Sequence, residues 1–93
     1  MPRYISYLGF GGVAAAVQIA TVEIPNGVDH WTVSDQAWPT VPTVFGLTVL
    51  KPDGGQQLFP TLVDDSTTQD GFEVWLNGIT DSANYKLRFG YLL

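Results

Sequence analysis

The chain has 93 residues, of which 45% are hydrophobic and 14% are charged, and it contains no cysteine. This length accommodates one small domain with a single core and excludes a two-domain enzyme, while the lack of cysteine excludes disulfides, thiolate catalysis and cysteine-based zinc sites. Four Lys and Arg against nine Asp and Glu give a net charge of −5, which is the wrong sign for a phosphate backbone, so we expect no nucleic-acid partner.

The first third of the chain predicts strands separated by turns. Residues of β type fill 3–8 and 28–34, and Pro25-Asn26-Gly27 predicts a turn before the second of these segments. Residues 13–22 are ambiguous, because an alanine triplet favours a helix whereas the β-branched residues after it favour a strand, and we assign them to a strand. The longest apolar run, residues 13–17, is too short to span a membrane, so no membrane insertion is expected.

The middle of the chain carries a hairpin signal. Residues 40–43 predict an extended connector, which leads into an alternating strand over 44–50. Pro52-Asp53-Gly54-Gly55 then supplies turn residues, and this predicts a hairpin whose return arm runs over 56–63. Because Pro60 has no backbone donor, the return arm is expected at an edge of the sheet or at a bulge.

The last third predicts two strands that face the core. In the first, Phe72, Val74 and Leu76 alternate with residues of the opposite face. In the second, the last nine residues alternate with period two without exception. A polar loop over 64–71 precedes the first strand, and a turn-rich connection over 78–84 joins the two.

Together these elements predict an all-β protein, a single antiparallel β-sandwich of six or seven short strands that fills residues 1–93. No segment has the sustained helical period of a βαβ fold. The low charge and an aromatic share of 13% leave apolar surface for a second chain, so we expect an oligomer. Residues 1–27 either belong to the sandwich or form an arm that pairs with an edge strand of a neighbour.

Three groups of chemically capable residues have simpler structural interpretations. The run from Gly9 to Ala14 fits the spacing of dinucleotide-binding loops but lacks the helix that such a loop needs, so it predicts a turn. His30 is the only histidine, which favours a hydrogen-bonded strand residue over a triad or zinc ligand. Asp64, Asp65 and Asp70 suit Ca²⁺ in chemistry but not in spacing, which predicts a solvated acidic loop. We therefore expect no enzymatic activity, no cofactor and no metal centre.

The tryptophans are more informative than the charges. Alternation places Trp75 opposite the core, beside Glu73 and Asn77. An exposed indole covers a loop, packs between subunits or stacks on a sugar, and the same three options apply to Trp38 in the connector. Trp31 is expected in the core as the aromatic anchor of its strand. The candidate interface or ligand contacts are therefore Trp38, Trp75, Asp64, Asp65 and Asp70.

Residues 30–92 also carry a familiar order of motifs. These are, in chain order, His30-Trp31-Thr32-Val33, Leu47-Thr48-Val49-Leu50, Pro52-Asp53-Gly54-Gly55, Leu58-Phe59-Pro60, an Asp-rich turn, Phe72-Glu73-Val74-Trp75-Leu76 and Asn84-Tyr85-Lys86-Leu87-Arg88-Phe89. This order resembles that of the small β-sandwich modules in tailed-bacteriophage fibre and tail-associated proteins. Ser34-Asp35-Gln36-Ala37 departs from the pattern of those modules.

The resemblance implies a virion structural protein, commonly a homotrimer, that assembles with other virion proteins in the host cytoplasm. Within a tail fibre, such a module contacts the host surface and is a candidate for binding a surface glycan. One alternative is a capsid decoration, or cement, protein, which needs a broad flat interface. An alternative of another class is a carbohydrate-binding module, in which Trp38 or Trp75 stacks on a sugar and Asp64, Asp65 or Asn77 binds its hydroxyls.

Overall fold

The computed structural model describes residues 16–93, and the predictions for residues 3–8, for the glycine-rich run before residue 15 and for residues 13–15 lie outside them. Over the described range the chain is all-β, with six strands and no helix. Residues 16–93 contain no helix that is long and apolar enough to cross a membrane. The strands are β1 (Gln18–Glu23), β2 (His30–Val33), β3 (Thr43–Leu50), β4 (Pro60–Leu62), β5 (Phe72–Leu76) and β6 (Lys86–Leu92).

Within the described residues, the strands form two antiparallel sheets of three strands each. The first sheet has the order β1-β6-β3, and the second has the order β2-β5-β4. The two strands with the clearest alternation in the sequence, β5 and β6, occupy the two central positions. A central strand that is covered on one face and open on the other needs a strict alternation of apolar and polar residues, and this explains why these two strands have it.

The inner faces of the two sheets share one hydrophobic core. From β5, Phe72 and Val74 are fully buried, and from β6, Leu87 and Phe89 are fully buried. Phe72 meets Phe89 edge to face, with 4.9 Å between ring centroids. Burial of each such side chain stabilises the fold by about 1.5–3 kcal/mol. The sharing of one core by two antiparallel sheets agrees with the predicted sandwich-like all-β class.

The predicted hairpin is wrong, although its turn is present. Gly55 N–H donates to Pro52 O at 2.9 Å, which closes the turn. The chain then crosses to the second sheet, where β4 pairs with β5 instead of β3. Two contacts hold the crossing segment, residues 56–59, without a pairing to β3. Leu58 is buried in the core, and the backbone N–H of Gln56 donates to the hydroxyl of Tyr85 at 2.8 Å.

Several other local predictions are confirmed. The ambiguous segment is a strand over its described part, because β1 begins at Gln18. A turn at Asn26 and Gly27 precedes β2, as predicted. The predicted connector over 40–43 is not extended throughout, because the chain bends at residues 39 and 40 before β3 begins at Thr43. Pro60 opens β4, an edge strand whose only strand partner is β5 within residues 16–93. These features depend on local residue type, which sequence patterns report directly.

A close backbone crossing joins the loop after β4 to the connector after β2. The N–H groups of Gln36 and Trp38 donate to the carbonyl oxygens of residues 70 and 69, at 2.9 and 2.8 Å. At the same crossing, a Cβ on Gly71 would come within 1.6 Å of the Val33 carbonyl oxygen. Only glycine allows the two segments to approach this closely.

Replacement of Gly71 tests this crossing. Gly71→Ala is expected to lower the free energy of unfolding by about 3 kcal/mol or more, because the Val33 backbone has to move. In the control Gly54→Ala, the new Cβ meets no atom within 4 Å, and the left-handed backbone conformation alone costs about 1–2 kcal/mol. Urea denaturation of both variants measures the difference, and equal losses would contradict the close approach at Gly71.

Candidate functional site

Trp38 is the sequence-predicted contact residue that the structure places inside the molecule. Its indole is buried and packs against Phe72, Phe89 and Tyr91, with centroid distances of 6.4, 6.3 and 5.2 Å. The hydrogen bond from the backbone N–H of Trp38 to the backbone carbonyl of Gln69 holds this part of the connector against the opposite loop, with the indole directed inward. Trp38 therefore belongs to the core, and its assignment as a surface contact is wrong.

The acidic loop does not assemble its carboxylates into one site. Asp64 and Asp65 lie exposed in the turn after β4. Asp70 has a different task, because its Oδ1 accepts the N–H of Asp35 at 3.1 Å and fastens the connector. Among residues 16–93, no group of three or more acidic or imidazole side chains is arranged to hold a metal ion.

The hydroxyl groups of the same loop are used within the loop. Ser66 Oγ donates to Val63 O at 2.7 Å and accepts the N–H of Glu73 at 3.0 Å. Thr68 Oγ1 accepts the N–H groups of the two residues before β5, at 3.1 and 3.3 Å. The oxygens that made the loop resemble a Ca²⁺ site in composition therefore shape the turn into β5.

Trp75 is exposed on the outer face of the second sheet, which confirms its predicted orientation. Its side chain is 44% exposed. The strand register pairs Trp75 with His30 of β2 on one side and with Thr61 of β4 on the other, so the three residues form one row across the sheet. The rings of His30 and Trp75 stack, with 4.1 Å between centroids and 14° between planes.

Two carboxylates hold these rings in place. Trp75 Nε1 donates to Glu73 Oε2 at 3.1 Å, and His30 Nδ1 donates to Asp29 Oδ1 at 2.7 Å. Each carboxylate comes from a residue one or two positions away on the same strand or its entry, so the local sequence supplies both. The indole is thus fixed by a stacked neighbour and a hydrogen bond before any ligand arrives.

Asn77, two residues after Trp75, adds a further polar side chain beside the indole. Its Oδ1 accepts the N–H of Phe59 at 2.8 Å, which ties the end of β5 to the crossing segment. Phe59 itself is 61% exposed. We use the name Trp75 platform for the surface formed by His30, Thr61, Glu73, Trp75 and Asn77.

The outer face of the first sheet has a different character. Ile19 of β1 and Phe45 of β3 flank Gly90 of β6 in the register, and a Cβ on Gly90 would come within 2.8 Å of the Phe45 ring. Ile19 is 65% exposed and Val17 is 54% exposed, while Leu92 lies half-buried on the same face. We use the name apolar face for Val17, Ile19, Phe45 and Leu92.

Within residues 16–93, the edge strand of the first sheet next to this face, β1, pairs with β6 alone. β1 has six regular residues without a proline or a register shift. The other edge strands in the described part of the chain carry protective features: β3 has a register shift between Phe45 and Thr48, β2 has four residues, and β4 starts with a proline. Such features discourage pairing with a further strand, and β1 lacks them.

A third cluster links two turns. Tyr85, whose ring is buried, donates its hydroxyl to Asp81 Oδ1 at 2.8 Å and accepts the N–H of Gln56. Gln56 Nε2 in turn donates to Asp81 Oδ2 at 3.3 Å. The hydrogen bond from Tyr85 lowers the pKa of Asp81, and burial raises the pKa of the Tyr85 phenol. This cluster fastens the crossing segment to the connection before β6.

Comparison with known proteins returned no match: no family model, curated protein or solved structure is similar to the chain. What the molecule can bind therefore has to follow from the residues on its surfaces. Two surfaces of the described residues are the main candidates, the Trp75 platform on the second sheet and the apolar face beside the β1 edge on the first. The platform can stack and form hydrogen bonds, whereas the apolar face can only bury hydrocarbon.

Asp81→Asn tests the third cluster through its pH dependence. The pKa of Asp81 in the folded protein lies below its ordinary value of 3.8, so the ionised carboxylate stabilises the fold above that pH. This contribution is lost as the pH falls through the folded-state pKa. The variant is therefore expected to be less stable than the natural protein near pH 7, and the gap is expected to narrow near pH 2.

The measurement is the urea midpoint at both pH values. Asp53→Asn is the matched control, because Asp53 lies exposed in the neighbouring turn. A gap for Asp81→Asn that keeps its size at low pH would show that the carboxylate charge does not hold the cluster together.

Proposed function

We propose that this chain is a non-enzymatic structural component of a tailed-bacteriophage virion, a fibre- or tail-type β-sandwich that associates with copies of itself as a homotrimer. The apolar face, which lies beside the β1 edge, carries the self-association. The order of motifs over residues 30–92 supports the assignment to a virion. In this role the chain functions by binding and assembly, together with other virion proteins.

The apolar face supports self-association through the side chains that it leaves in water. Ile19 is the most exposed large hydrophobic residue of the described chain, and it lies in the same row as Phe45. Covering such side chains stabilises an assembly by about 25 cal/mol per Å² of apolar surface. The small core of a chain this short gains most from such a contact.

The charges on the same sheet support an interface of limited extent. Glu23 pairs in the register with Lys86, and Arg88 lies in the adjacent outward row with Thr21. The outer surface is therefore apolar at the end of β6 near the C-terminus and charged at the other end. A partner copy that covers the apolar end leaves these charges at the polar rim of the contact, which is the usual arrangement of an interface.

The Trp75 platform favours attachment over capsid decoration. A cement protein clamps the shell through a broad interface and has no use for a pre-arranged recognition surface. An attachment module needs one, and Trp75 with its stacked neighbour His30 supplies it on the face opposite to the apolar face. Assembly and recognition are then assigned to different sheets.

Light scattering tests the proposed self-association. The natural chain is expected to have a molar mass of three times 10.1 kDa over a wide range of concentrations. Ile19→Lys places a charge in the centre of the apolar face and is expected to give monomers, because a buried, unpaired ammonium group is unfavourable. Val41→Lys is the matched control, since Val41 is 58% exposed but lies in the connector.

Thermal unfolding of both variants confirms that they are folded before the masses are compared. A natural chain that stays monomeric at high concentration would overturn the proposal of a self-associating virion component. An oligomer that survives Ile19→Lys would place the subunit contact outside the apolar face.

A further inference from the structure

We propose that the Trp75 platform is a binding site for a neutral saccharide, with one pyranose ring lying against the exposed indole of Trp75. This inference deepens the proposed attachment function and rests on it for its biological role. Its geometry comes from the second sheet alone, so it can be tested separately from self-association.

The first step is that the core does not need the indole. Val74 and Leu76, the neighbours of Trp75 in β5, supply the buried side chains of this strand. Trp75 points the other way and remains 44% exposed. Tryptophan is over-represented among residues that dominate binding energies, because it buries a large rigid surface on contact.

The second step is that the ring is held in one orientation. His30 stacks on the indole with 14° between the ring planes, and Glu73 accepts the indole N–H. A ligand that meets this ring does not have to order it, so little side-chain entropy is lost on binding. His30 is thus a positioning residue for Trp75.

The third step concerns the two sides of the ring, which is 44% exposed. The strand order puts β2 on one side of β5 and β4 on the other, so the stacked His30 lies on the β2 side. On the β4 side the row continues with Thr61, whose side chain is much shorter than an indole. Because His30 stacks on the indole from the β2 side, we place the pyranose ring on the β4 side, next to Thr61.

The fourth step concerns the polar groups beside the indole. Glu73 and Asn77 lie two residues before and after Trp75, so all three share the outward face of β5. Glu73 Oε2 is used by the indole, which leaves Oε1 as an acceptor, and Asn77 Oδ1 is used by Phe59, which leaves Nδ2 as a donor. With the Thr61 hydroxyl, the site offers both donors and acceptors.

The fifth step identifies the ligand class. The ammonium and guanidinium groups of the described chain, those of Lys51, Lys86 and Arg88, lie outside this surface. The platform instead includes the carboxylate of Glu73, so an anion is disfavoured. A neutral pyranose has a face of C–H groups, which suits the electron-rich indole, and a rim of hydroxyls, which suits the surrounding donors and acceptors.

A glycan array printed with neutral and acidic bacterial-surface saccharides, probed with the full chain, is the first experiment. Neutral hexose glycans are expected to bind, and the best of them is then titrated against the tryptophan fluorescence of the protein. Added glycan is expected to quench the exposed Trp75, and the Trp75→Ala variant, which keeps Trp31 and Trp38, measures the background of the other two tryptophans.

Variants assign the binding to the platform. Trp75→Ala is expected to weaken the affinity by about tenfold or more, and His30→Ala by a smaller factor because the indole loses its support. Val41→Ala, an exposed apolar residue outside both faces, is expected to bind like the natural chain. Absence of binding to every glycan, or equal binding by Trp75→Ala, would overturn the inference.

Light scattering on the same samples separates this inference from the proposed self-association. If the chain is an oligomer that binds no glycan, only the proposed saccharide site is contradicted. If it is a monomer that binds glycan through Trp75, only the proposed self-association is contradicted. Dissociation of the oligomer by Trp75→Ala would place the indole between subunits and would also overturn the saccharide site.

Discussion

The contact between Phe72 and Phe89 joins the two sheets, and it determines which residues of the two central strands face the core and which face outward. These side chains lie on the central strands β5 and β6 and meet with 4.9 Å between ring centroids. Because side chains alternate along a strand, the inward position of these residues sets the direction of every other residue in β5 and β6. Trp75 and Gly90 therefore lie on outward faces, and the functional surfaces are consequences of how the core is built.

The two outward faces differ because the edge strands bring different residues to them. In the first sheet, Ile19 and Phe45 flank a residue without a side chain, Gly90, so the surface is low and apolar. In the second sheet, His30 stacks on Trp75, and this aromatic pair is bordered by polar groups and held by a hydrogen bond to Glu73. A flat apolar surface suits a second protein chain, whereas a raised aromatic ring with polar neighbours suits a small polar ligand.

Most of the polar side chains that the sequence suggested as functional instead form hydrogen bonds that stabilise the fold. Asp70 accepts a backbone N–H of the connector, and Thr68 shapes the turn before β5. Asp81 and Tyr85 hold the crossing segment near the connection that leads into β6. In a chain with few strands and long connections, the loops need such hydrogen bonds, because an unpaired backbone group near the core is costly.

Sequence alone determined the features that depend on neighbouring residues: the all-β class, the alternation of β5 and β6, the turns and the exposure of Trp75. Only the tertiary structure decided which strands pair. In the tertiary structure, the segment after Gly54 leads into the second sheet, Trp38 is buried, and His30 stacks on Trp75. The physical reason is that alternation and turn residues act over a few positions, whereas strand pairing depends on hydrogen bonds and core contacts between residues far apart in the chain, which a local pattern does not record.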